Sequence, residues 1–512
     1  MTHSPRPVVW SIAGSDSGAG AGIQADLRAF DSFELHGCTA VAAVTAQNSL
    51  RVERVDALPT DQLDAQLAAL AGDLAPRAIK VGMLASAENV RCVARWVDVL
   101  RRRAPLALVV DPVWRASTGA TLGDGDLRAA ILAELLPRAS ALTPNRTEAA
   151  WLLGGAELAT PASVEQAGAA LRALGAAAVM ITGGDAGGQR ALDWIDTAQT
   201  RGWLELARVD TPHHHGSGCV YAASVAAAMA LDFCAADAAV LAKMNVTAAL
   251  GQGRGAGQGA GPVRPLAGFA LRGHLLPTLG GPQAGGAPFA ALSEPRLGLY
   301  AVVDSAAWVE RVLAAGVRTV QLRIKQASAA HLTGEIARSV LAARAAGAQL
   351  FINDHWQLAL ERGAYGVHLG QEDLATADLD TLRRAGLRLG ISTHTLWEVC
   401  RARAHRPSYL ACGPVYPTTT KDMPWLPQGE HNLAYWSQLL SEPLVAIGGM
   451  DLARSARAMA CGAAGVAVLR GIVTAADPES AIAALQRAIA GAARSSEPPA
   501  LPRSALGWQS SL

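Results

Sequence analysis

The stretch LYAVVD, at Leu299–Asp304, is the first of eight short apolar runs that determine the fold of the C-terminal half of the chain. Ala-, Leu- and Arg-rich stretches with helical spacing separate most of these runs. Eight strands that alternate with helices close into a parallel barrel, so the pattern predicts the (β/α)8 TIM-barrel architecture. The other runs are TVQLRIK (Thr319–Lys325), QLFIND (Gln349–Asp354), GVHLG (Gly366–Gly370), RLGIST (Arg388–Thr393), YLACGPV (Tyr409–Val415), LVAIGGM (Leu444–Met450) and GVAVLRGI (Gly465–Ile472).

Most of these runs end in a residue that is suited to chemistry. In (β/α)8 barrels the catalytic groups lie at the carboxyl ends of the strands, so these residues are candidates for a functional site. A polar residue can also simply mark the end of a strand, but that explanation hardly accounts for so many strands at once. The candidates are Asp304, Arg323, Lys325, Asn353, Asp354, His368 and Ser392.

The composition bounds the class of protein. The chain has 512 residues, of which 51% are hydrophobic and 17% charged, which is typical of a globular protein with more than one core. The net charge of +1 indicates neither a nucleic-acid nor a membrane partner, whereas small phosphorylated metabolites need only a local cluster of donors. No stretch approaches the roughly 18–20 continuous apolar residues of a membrane helix.

The cysteines and the N-terminus bear on the compartment. Seven widely spaced cysteines suggest reduced thiols, and the absence of a CxxC pair argues against structural zinc. The N-terminal sequence runs directly into a strand and shows no signal peptide. We therefore expect a cytoplasmic location. The sequence does not decide the oligomeric state, and a homo-oligomer is an open alternative.

The N-terminal half also alternates between strands and helices, which predicts a layered α/β sheet with helices on both faces. A strand pair is expected at Ala191–Asp196 and Gly202–Val209. The apolar runs before it are Val8–Ala13, Thr39–Ala46, Ala78–Leu84, Leu106–Val113, Ala141–Thr143 and Ala178–Thr182.

Glycine- and proline-rich stretches suggest the domain boundaries. We expect a first domain at residues 1–271, which includes the glycine-rich stretch Gly251–Gly261. A linker at residues 272–295 then leads to the barrel domain at residues 296–492, and a poorly ordered tail is expected at residues 493–512.

Three features of the first half are suited to binding a phosphorylated ligand. The small-residue loop Gly14–Gly22 follows a strand and opens a helix, although a buried turn would explain it equally well. The sequence GSGC at Gly216–Cys219 opens another helix, whose free amides can receive a phosphoryl group. Asp111 and Glu148 follow strands and could hold magnesium beside nucleotide phosphates, although such residues are more often caps.

Cys219 itself has two readings. A helix N-terminus lowers the pKa of a thiol, so Cys219 could act as a base toward an alcohol. An inert buried cysteine is the common alternative, and the residues alone do not separate the two.

Together these features resemble the hydroxymethylpyrimidine/phosphomethylpyrimidine kinase family of thiamine biosynthesis. The resemblance runs from about Val8 to about Pro265 and implies a ribokinase-like fold, ATP as phosphoryl donor and magnesium as cofactor. The matching motifs are AGSDSGAGAGIQAD (Ala13–Asp26), TAQNS (Thr45–Ser49), KVGML (Lys80–Leu84), VVDPV (Val109–Val113), LTPNRTEA (Leu142–Ala149) and HGSGC (His215–Cys219).

The resemblance also implies a role for each matching residue. The aminopyrimidine would be surrounded by Gly14, Asp26, Gln47 and Met83, and Cys219 would deprotonate its hydroxymethyl group. The γ-phosphate would be held by the amides of Gly216, Ser217 and Gly218, and Lys243 would contact the nucleotide phosphates. Magnesium would be placed with the help of Asp111 and Glu148. The chain departs from the family at Thr182 and Asp185: the family usually has the sequence KGGH where this chain has TGGD. This departure puts one nucleotide contact, that of the lysine, in doubt. A metal site in the run His213–His215 is disfavoured, because adjacent side chains in a loop rarely converge on one ion.

The barrel sequence places cations and carboxylates at one mouth. Arg323 and Lys325 are two positions apart on a strand and therefore point the same way. Asp354 and Asp373 can share magnesium with a polyphosphate. Lys421 follows a threonine run in a loop after the sixth strand. Two anion sites without a nucleophile–base pair suggest the condensation of two phosphorylated substrates.

This half resembles thiamine-phosphate synthase over Leu299–Ile472. The matching motifs are YAVVD, VQLRIK, FINDHW, GVHLGQEDL, GISTHT, GPVYPTTTKD, VAIGGM and GVAVLRGI. The resemblance implies that Gln321, Arg323, Lys325 and Asn353 hold the pyrimidine pyrophosphate, that Asp354 and Asp373 bind its magnesium, that Ser392 and Lys421 lie near the departing group, and that Thr418, Thr420 and Gly449 place the thiazole phosphate.

One departure from that family is Arg470, where many relatives have serine. An arginine can hold phosphate bidentately, so we expect compensation rather than loss, unless its side chain points outward.

The two resemblances predict consecutive steps: two phosphorylations of hydroxymethylpyrimidine, then condensation with a thiazole phosphate. One alternative is a pyridoxal- or sugar-type kinase fused to an unrelated phosphate-binding barrel. Another is a pair of non-catalytic domains that only bind metabolites.

Overall fold

The computed structural model describes residues 6–114, 125–155, 157–184, 186–281, 286–418, 424–495 and 500–508. The chain forms two compact units, Met1–Pro282 with Leu506–Leu512, and Gln283–Ala505. In the part of the chain that is described, no helix is long and apolar enough to cross a membrane.

The first unit contains a ten-stranded sheet with helices between most of the strands. Its strands are β1 (Val8–Asp16), β2 (His36–Gln47), β3 (Val52–Ala57), β4 (Ala78–Val81), β5 (Ala107–Val110), β6 (Ala141–Leu142), β7 (Val179–Ile181), β8 (Arg190–Asp196), β9 (Arg201–Ala207) and β10 (Thr278–Gly280). Its helices are α1 (Gly22–Ser32), α2 (Thr60–Asp73), α3 (Ala87–Arg101), α4 (Gly125–Ala130), α5 (Arg146–Leu153), α6 (Pro161–Ala173), α7 (Ser217–Ala230) and α8 (Ala235–Gly251).

The centre of this sheet is parallel and its two margins are antiparallel. The strand order is β10-β9-β8-β7-β6-β5-β4-β1-β2-β3, with parallel pairing from β2 to β7. Strands β4 and β5 are buried along their whole length, as parallel strands covered on both faces must be. The layered α/β prediction and the expected pair β8–β9 are confirmed. The antiparallel strands β3 and β10 were not predicted.

The second unit is a closed parallel barrel of eight strands in chain order, which confirms the prediction. The strands are β11 (Gly298–Val303), β12 (Thr319–Leu322), β13 (Gln349–Asn353), β14 (Gly366–Leu369), β15 (Arg388–Thr393), β16 (Tyr409–Cys412), β17 (Leu444–Ile447) and β18 (Gly465–Val468). The helices are α9 (Ala306–Ala314), α10 (Ala329–Ala345), α11 (Trp356–Glu361), α12 (Leu379–Arg384), α13 (Leu396–Ala404), α14 (Gly429–Leu439), α15 (Leu452–Ala460), α16 (Arg470–Val473) and α17 (Pro478–Ala490).

Aromatic rings fill the interior of the barrel, and glycines on the neighbouring strands make room for them. Phe351 is the strand partner of Gly366, and Tyr409 is the strand partner of Gly390. A Cβ atom at Gly390 would lie 2.1 Å from the Tyr409 ring, and one at Gly366 would lie 2.8 Å from the Phe351 ring. With Tyr300, these rings pack edge to face or tilted across the barrel.

The segment expected to be a linker is ordered on both sides of residues 282–285, which lie outside the described residues. Strand β10 pairs with β9 of the first unit, because its backbone groups complete the antiparallel margin of that sheet. On the other side, Phe289 is buried and its N–H donates to the carbonyl of Arg406 in the barrel unit.

The C-terminal segment also differs from the expected disordered tail. The Asn432 side chain donates to the carbonyl of Arg503 and accepts from its N–H, so both backbone polar groups of Arg503 are satisfied within the barrel unit. Ala505 and Trp508 are buried.

We predict that Gly390→Ala destabilises the barrel by about 1–3 kcal/mol, because the new methyl group would overlap the buried Tyr409 ring. The control is Gly334→Ala on the exposed face of α10, where a Cβ meets nothing within 4 Å and helix propensity favours alanine. Scanning calorimetry of both variants measures the effect. An unchanged barrel transition for Gly390→Ala would show that the packing is looser than described.

Candidate active sites

A buried lysine organises the first unit at the carboxyl end of the parallel strands. Lys80 lies in β4, and its Nζ is 3.1 Å from Asp26 of α1 and 3.4 Å from Asp111, which follows β5. Asp26 also accepts a hydrogen bond of 2.6 Å from Ser11 of β1. The Lys80 and Asp26 side chains are fully buried. Three separate strands and one helix therefore meet in a single charged cluster.

Burial and charge act against each other in this cluster. Burial by itself lowers the pKa of Lys80, but the carboxylates of Asp26 and Asp111 outweigh it, so the pKa is raised and the amine is held protonated. Burial raises the pKa of Asp111, and Lys80 opposes that shift. Removing the lysine would leave buried carboxylates without a partner, which costs far more than a surface pair.

Cys219 lies in the first turn of α7 beside this cluster. Burial raises the pKa of its thiol to about 12, although Lys80 and a hydrogen bond from the Gly22 amide act to lower it. The expected lowering by the helix N-terminus is therefore wrong for this state of the protein. Desolvation, together with the charges of Asp26 and Asp111, exceeds the lowering by Lys80 and by the Gly22 amide.

The position directly before this helix accepts only glycine. Gly216 is the N-cap of α7 with φ of 81°, and a Cβ there would lie 2.0 Å from the carbonyl oxygen of Gly20. The start of α7 therefore lies directly against the small-residue loop Gly14–Gly22. Ser217 and Gly218 form the first turn, and Gly218 is exposed, so that a Cβ added there would meet no atom within 4 Å.

The residues expected around an aminopyrimidine fall into two contacts near this loop. A Cβ at Gly14 would lie 2.2 Å from the Met83 methyl group, so these two positions are adjacent. Gln47 has its side-chain amide 3.3 Å from the His215 ring nitrogen, which is also 3.2 Å from Asp16.

Asp16 fixes the conformation of the loop. Its carboxylate accepts from the amides of Gly18, Gly20 and Ala21. Burial alone would raise the pKa of Asp16, but the hydrogen bonds from His215 and from these amides lower it overall, so the carboxylate is ionised.

Two residues that were expected to contact a nucleotide or a metal, Lys243 and Glu148, form other interactions in the structure. Lys243 is buried in α8 and its Nζ is 2.8 Å from Asp193, because an ammonium group inside an apolar helix needs a counter-charge. Glu148 accepts from the Asn145 amide in a capping box at the start of α5, which was the alternative for such a residue. Neither contact brings these side chains to the Lys80 cluster. Asp185 lies outside the described residues.

Lys80 is the functional candidate that the sequence analysis missed. It lies inside the apolar run Ala78–Leu84, which was interpreted as a strand and as the family motif KVGML, but only Met83 of that motif was given a role. A charged residue in the middle of a strand that is buried on both faces is a signal for a functional or paired group.

The barrel has a cavity of about 540 Å³ at the carboxyl ends of its strands. Predicted residues from six strands and their following loops line it: Gln321, Arg323, Lys325, Asn353, Asp354, Asp373, Ser392, Thr418 and Gly449. Thr420 and Lys421 lie outside the described residues. Gly449 has φ of 65°, and a Cβ there would lie 2.6 Å from the Pro417 carbonyl, so only glycine fits this wall.

Two carboxylates in the cavity fit a divalent cation. Burial and the neighbouring Asp354 raise the pKa of Asp373. Asp354 has φ of 63°, a strained backbone for a non-glycine residue, and its carboxylate is 3.2 Å from Lys325. No group of three potential metal ligands exists among the described residues. Two carboxylates completed by substrate phosphates and water are the usual donor set of Mg²⁺.

The cavity also contains residues that were not assigned a role. Trp425 stacks on the His394 ring at 3.8 Å, and His394 is 2.7 Å from the buried Glu398. Arg454 also lines the wall near Gly449. Arg470 is exposed and is among the residues that line the same cavity. The motif GISTHT held a signal for His394, whereas no sequence pattern indicated Trp425.

His368 is neutral in the structure. Burial lowers the pKa of His368 to about 4, with a further lowering by Arg323 and an opposing effect of Asp354. Its Nε2 is 2.8 Å from Ser392 Oγ.

Comparison with known proteins also divides the chain into two parts, one for each compact unit. Residues 16–264 match the family model described as phosphomethylpyrimidine kinase, and residues 299–472 match that of thiamine monophosphate synthase. The thiamine-phosphate synthase of Neisseria meningitidis is 51% identical over 199 residues, which cover 39% of this chain and 97% of that protein.

Solved structures match the first unit. The phosphomethylpyrimidine kinase of Clostridium difficile is 29% identical and covers 47% of this chain and 98% of its own, with a TM-score of 0.41. The ADP complex of Bacillus subtilis pyridoxal kinase is 32% identical and covers 51% and 97%, with a TM-score of 0.47.

We predict that Cys219 is a neutral thiol at physiological pH. Its alkylation by iodoacetamide should keep accelerating about tenfold per pH unit up to at least about pH 10, because only the thiolate reacts. Peptide mass spectrometry measures this rate. Cys461, whose pKa burial raises to about 11, is the internal control. A rate at Cys219 that levels off below about pH 8 would mean that the helix amides dominate.

Proposed function

The chain belongs to the thiamine-phosphate synthase family and carries a phosphomethylpyrimidine kinase unit, and we propose how its residues divide this work. The protein is a bifunctional enzyme of thiamine biosynthesis. The kinase phosphorylates hydroxymethylpyrimidine and then its monophosphate at the expense of ATP. The barrel condenses the resulting pyrophosphate with hydroxyethylthiazole phosphate and releases pyrophosphate.

In the kinase unit, the substrate hydroxyl oxygen attacks the γ-phosphorus, and the bond to the β-phosphate oxygen breaks as ADP leaves. The hydroxyl proton passes to an oxygen of the transferred phosphoryl group. The amides of Gly216, Ser217 and Gly218 receive the transferred group, because helix-start amides are unpaired donors. Cys219 contacts the hydroxymethyl group. Its thiol is neutral and is not a base in this proposal. A strong base is unnecessary, since phosphoryl transfer depends mainly on positioning and charge stabilisation.

The Lys80 cluster holds the elements around this site in place. Its ion pairs hold the start of α1 and the ends of β4 and β5 at fixed distances, and its positive charge acts on the Cys219 side chain. The contacts of Gln47 with His215, and of Gly14 with Met83, place these residues beside the same loop, which supports their proposed contact with the aminopyrimidine.

In the barrel, the bond between the pyrimidine methylene carbon and the pyrophosphate oxygen breaks, and the oxygen keeps the electron pair. The thiazole nitrogen then gives its lone pair to that carbon. Arg323 and Lys325 bind the leaving group, and Asn353 and Gln321 orient the pyrimidine. No general base is required, which agrees with a cavity lined by donors and cations.

Asp354 and Asp373 are proposed to hold magnesium with the pyrophosphate. When bound, magnesium neutralises charge that develops on the departing oxygen. Thr418 and Gly449, with Arg454 and Arg470 nearby, are proposed to receive the thiazole phosphate at the ends of β17 and β18, the usual phosphate position of this fold.

The observation that carries the proposal for the barrel is the convergence of nine predicted residues on one cavity.

All seven cysteines are free, which supports a location in the reducing cytoplasm.

Paired single-site variants test the division of work. Lys80→Met should abolish kinase turnover, because it leaves Asp26 and Asp111 buried without a counter-charge, yet retain thiamine-phosphate formation from supplied pyrimidine pyrophosphate. Asp354→Asn should slow the synthase step by about 10²–10³ and leave the kinase intact. The retained activity shows that the other unit is intact, and scanning calorimetry checks that the altered unit is still folded.

Mass spectrometry of the products, with pyridoxal as a parallel substrate, reads out both steps. A preference of the wild-type kinase for pyridoxal, or loss of both activities in either variant, would contradict the proposed division.

We also predict a role for Arg470 in the thiazole-phosphate site. Arg470→Ser should raise the KM for thiazole phosphate by roughly tenfold, the effect of one lost hydrogen bond to a charged group, and leave the KM for pyrimidine pyrophosphate unchanged. Steady-state kinetics measure both constants. Arg487→Ser, on an exposed position of α17, makes the same charge change away from the cavity. Equal effects of both variants would remove Arg470 from the site.

A further inference from the structure

A continuous chain of hydrogen bonds crosses the interior of the barrel and begins and ends at the cavity. The Gln321 amide nitrogen donates to the Tyr300 hydroxyl at 3.3 Å, and the Tyr300 and Tyr409 hydroxyls are 2.8 Å apart. The Tyr409 hydroxyl is 2.7 Å from His368 Nδ1, and His368 Nε2 is 2.8 Å from Ser392 Oγ. Gln321 and Ser392 line the cavity at the two ends.

The chain is built into the core rather than placed at its surface. Tyr300, Tyr409, His368 and Gln321 are all buried, with Tyr409 at 0% exposure. Their hydroxyl and ring nitrogen atoms would be costly to bury without partners. Phenylalanine could occupy the same volume beside Gly390 without that cost, so the packing alone does not require these hydroxyl groups.

One direction of these hydrogen bonds gives every proton of the chain an acceptor within it. An amide NH₂ can only donate, so in this arrangement the Tyr300 oxygen accepts from Gln321 and its own proton is directed to Tyr409. The Tyr409 proton is then directed to His368 Nδ1. A neutral imidazole that accepts at Nδ1 carries its proton on Nε2, and that proton is donated to Ser392 Oγ.

The result is a serine hydroxyl with a defined orientation. Because Ser392 Oγ accepts from His368, its own proton is free to point into the cavity, where Arg323 and Lys325 also lie. The Gln321 amide, with its nitrogen engaged, presents its carbonyl oxygen as an acceptor, which suits the exocyclic amine of an aminopyrimidine.

We propose that Tyr300, Tyr409 and His368 are positioning residues that hold the Ser392 hydroxyl as a donor to the leaving pyrophosphate. This inference rests on the proposed role of Ser392 in the synthase reaction. The three residues do not touch the substrate in this proposal. They set the polarity of the chain, so that the cavity meets an anion with a preorganised donor and without reorientation during the reaction.

The tautomer of His368 tests the polarity without any activity measurement. Full-length protein labelled with ¹⁵N-histidine is examined by NMR, and the His368 signals are identified by their loss in His368→Gln. The expected result is a proton on Nε2 and an unprotonated Nδ1 that accepts a hydrogen bond. A proton on Nδ1 would reverse the chain and overturn the proposal, whatever the synthase activity.

A double-mutant cycle then tests the target of the chain. Calorimetry measures binding of pyrophosphate with Mg²⁺ to Tyr409→Phe, Ser392→Ala and the double variant. Each single change should weaken binding by roughly tenfold, and the double variant should bind no more weakly than Ser392→Ala, because both remove one donor. Effects that multiply would mean that Tyr409 acts independently of Ser392, and would overturn the proposal.

Tyr365→Phe is the matched control. Its hydroxyl also lies in the barrel unit, but it bonds to Gln349 at 2.6 Å and belongs to neither the chain nor the cavity wall. Its pyrophosphate affinity should equal that of the wild type. If the His368 tautomer is as expected but Ser392→Ala binds pyrophosphate normally, the role of Ser392 in the proposed function fails and the positioning proposal fails with it.

Discussion

Parallel β-strands bring their carboxyl ends to one side of a sheet, and both units of this protein place their candidate chemistry there. A parallel sheet covered on both faces has an apolar interior, so charged groups can enter it only at the strand ends or in pairs. In the first unit this constraint brings Lys80, Asp26 and Asp111 together. In the barrel it directs Gln321, Asn353 and Ser392 to one cavity.

The same constraint sets the electrostatics of the two sites in opposite ways. The kinase site buries its charges, so each ionised group depends on a partner and a thiol beside them is held neutral. The barrel cavity leaves Lys325 more than half exposed and can exchange protein partners for substrate phosphates. A buried network suits a fixed scaffold, whereas an open cluster of cations suits the capture and release of polyphosphates.

Sequence reasoning succeeded where a residue follows a strand and failed where burial decides the outcome. Arg323, Asn353 and Ser392 could be placed at one rim because strand order alone brings them there. The thiol pKa of Cys219 could not be predicted, since it depends on desolvation by neighbours distant in sequence. Lys80 was missed because a single charged residue in an apolar run produces no periodic pattern that would mark it. The Lys243–Asp193 ion pair could not be predicted, because it joins a helix and a strand that no local sequence pattern connects.

In the proposed function, the product made by the first unit is the substrate consumed by the second. The most direct measurement follows ³¹P NMR signals of the full-length chain with ATP, Mg²⁺, hydroxymethylpyrimidine and thiazole phosphate. We expect a monophosphate ester to appear first and a diphosphate ester second, followed by thiamine phosphate and pyrophosphate in equal amounts. Consumption of ATP without a diphosphate ester, or accumulation of that ester without pyrophosphate release, would contradict it.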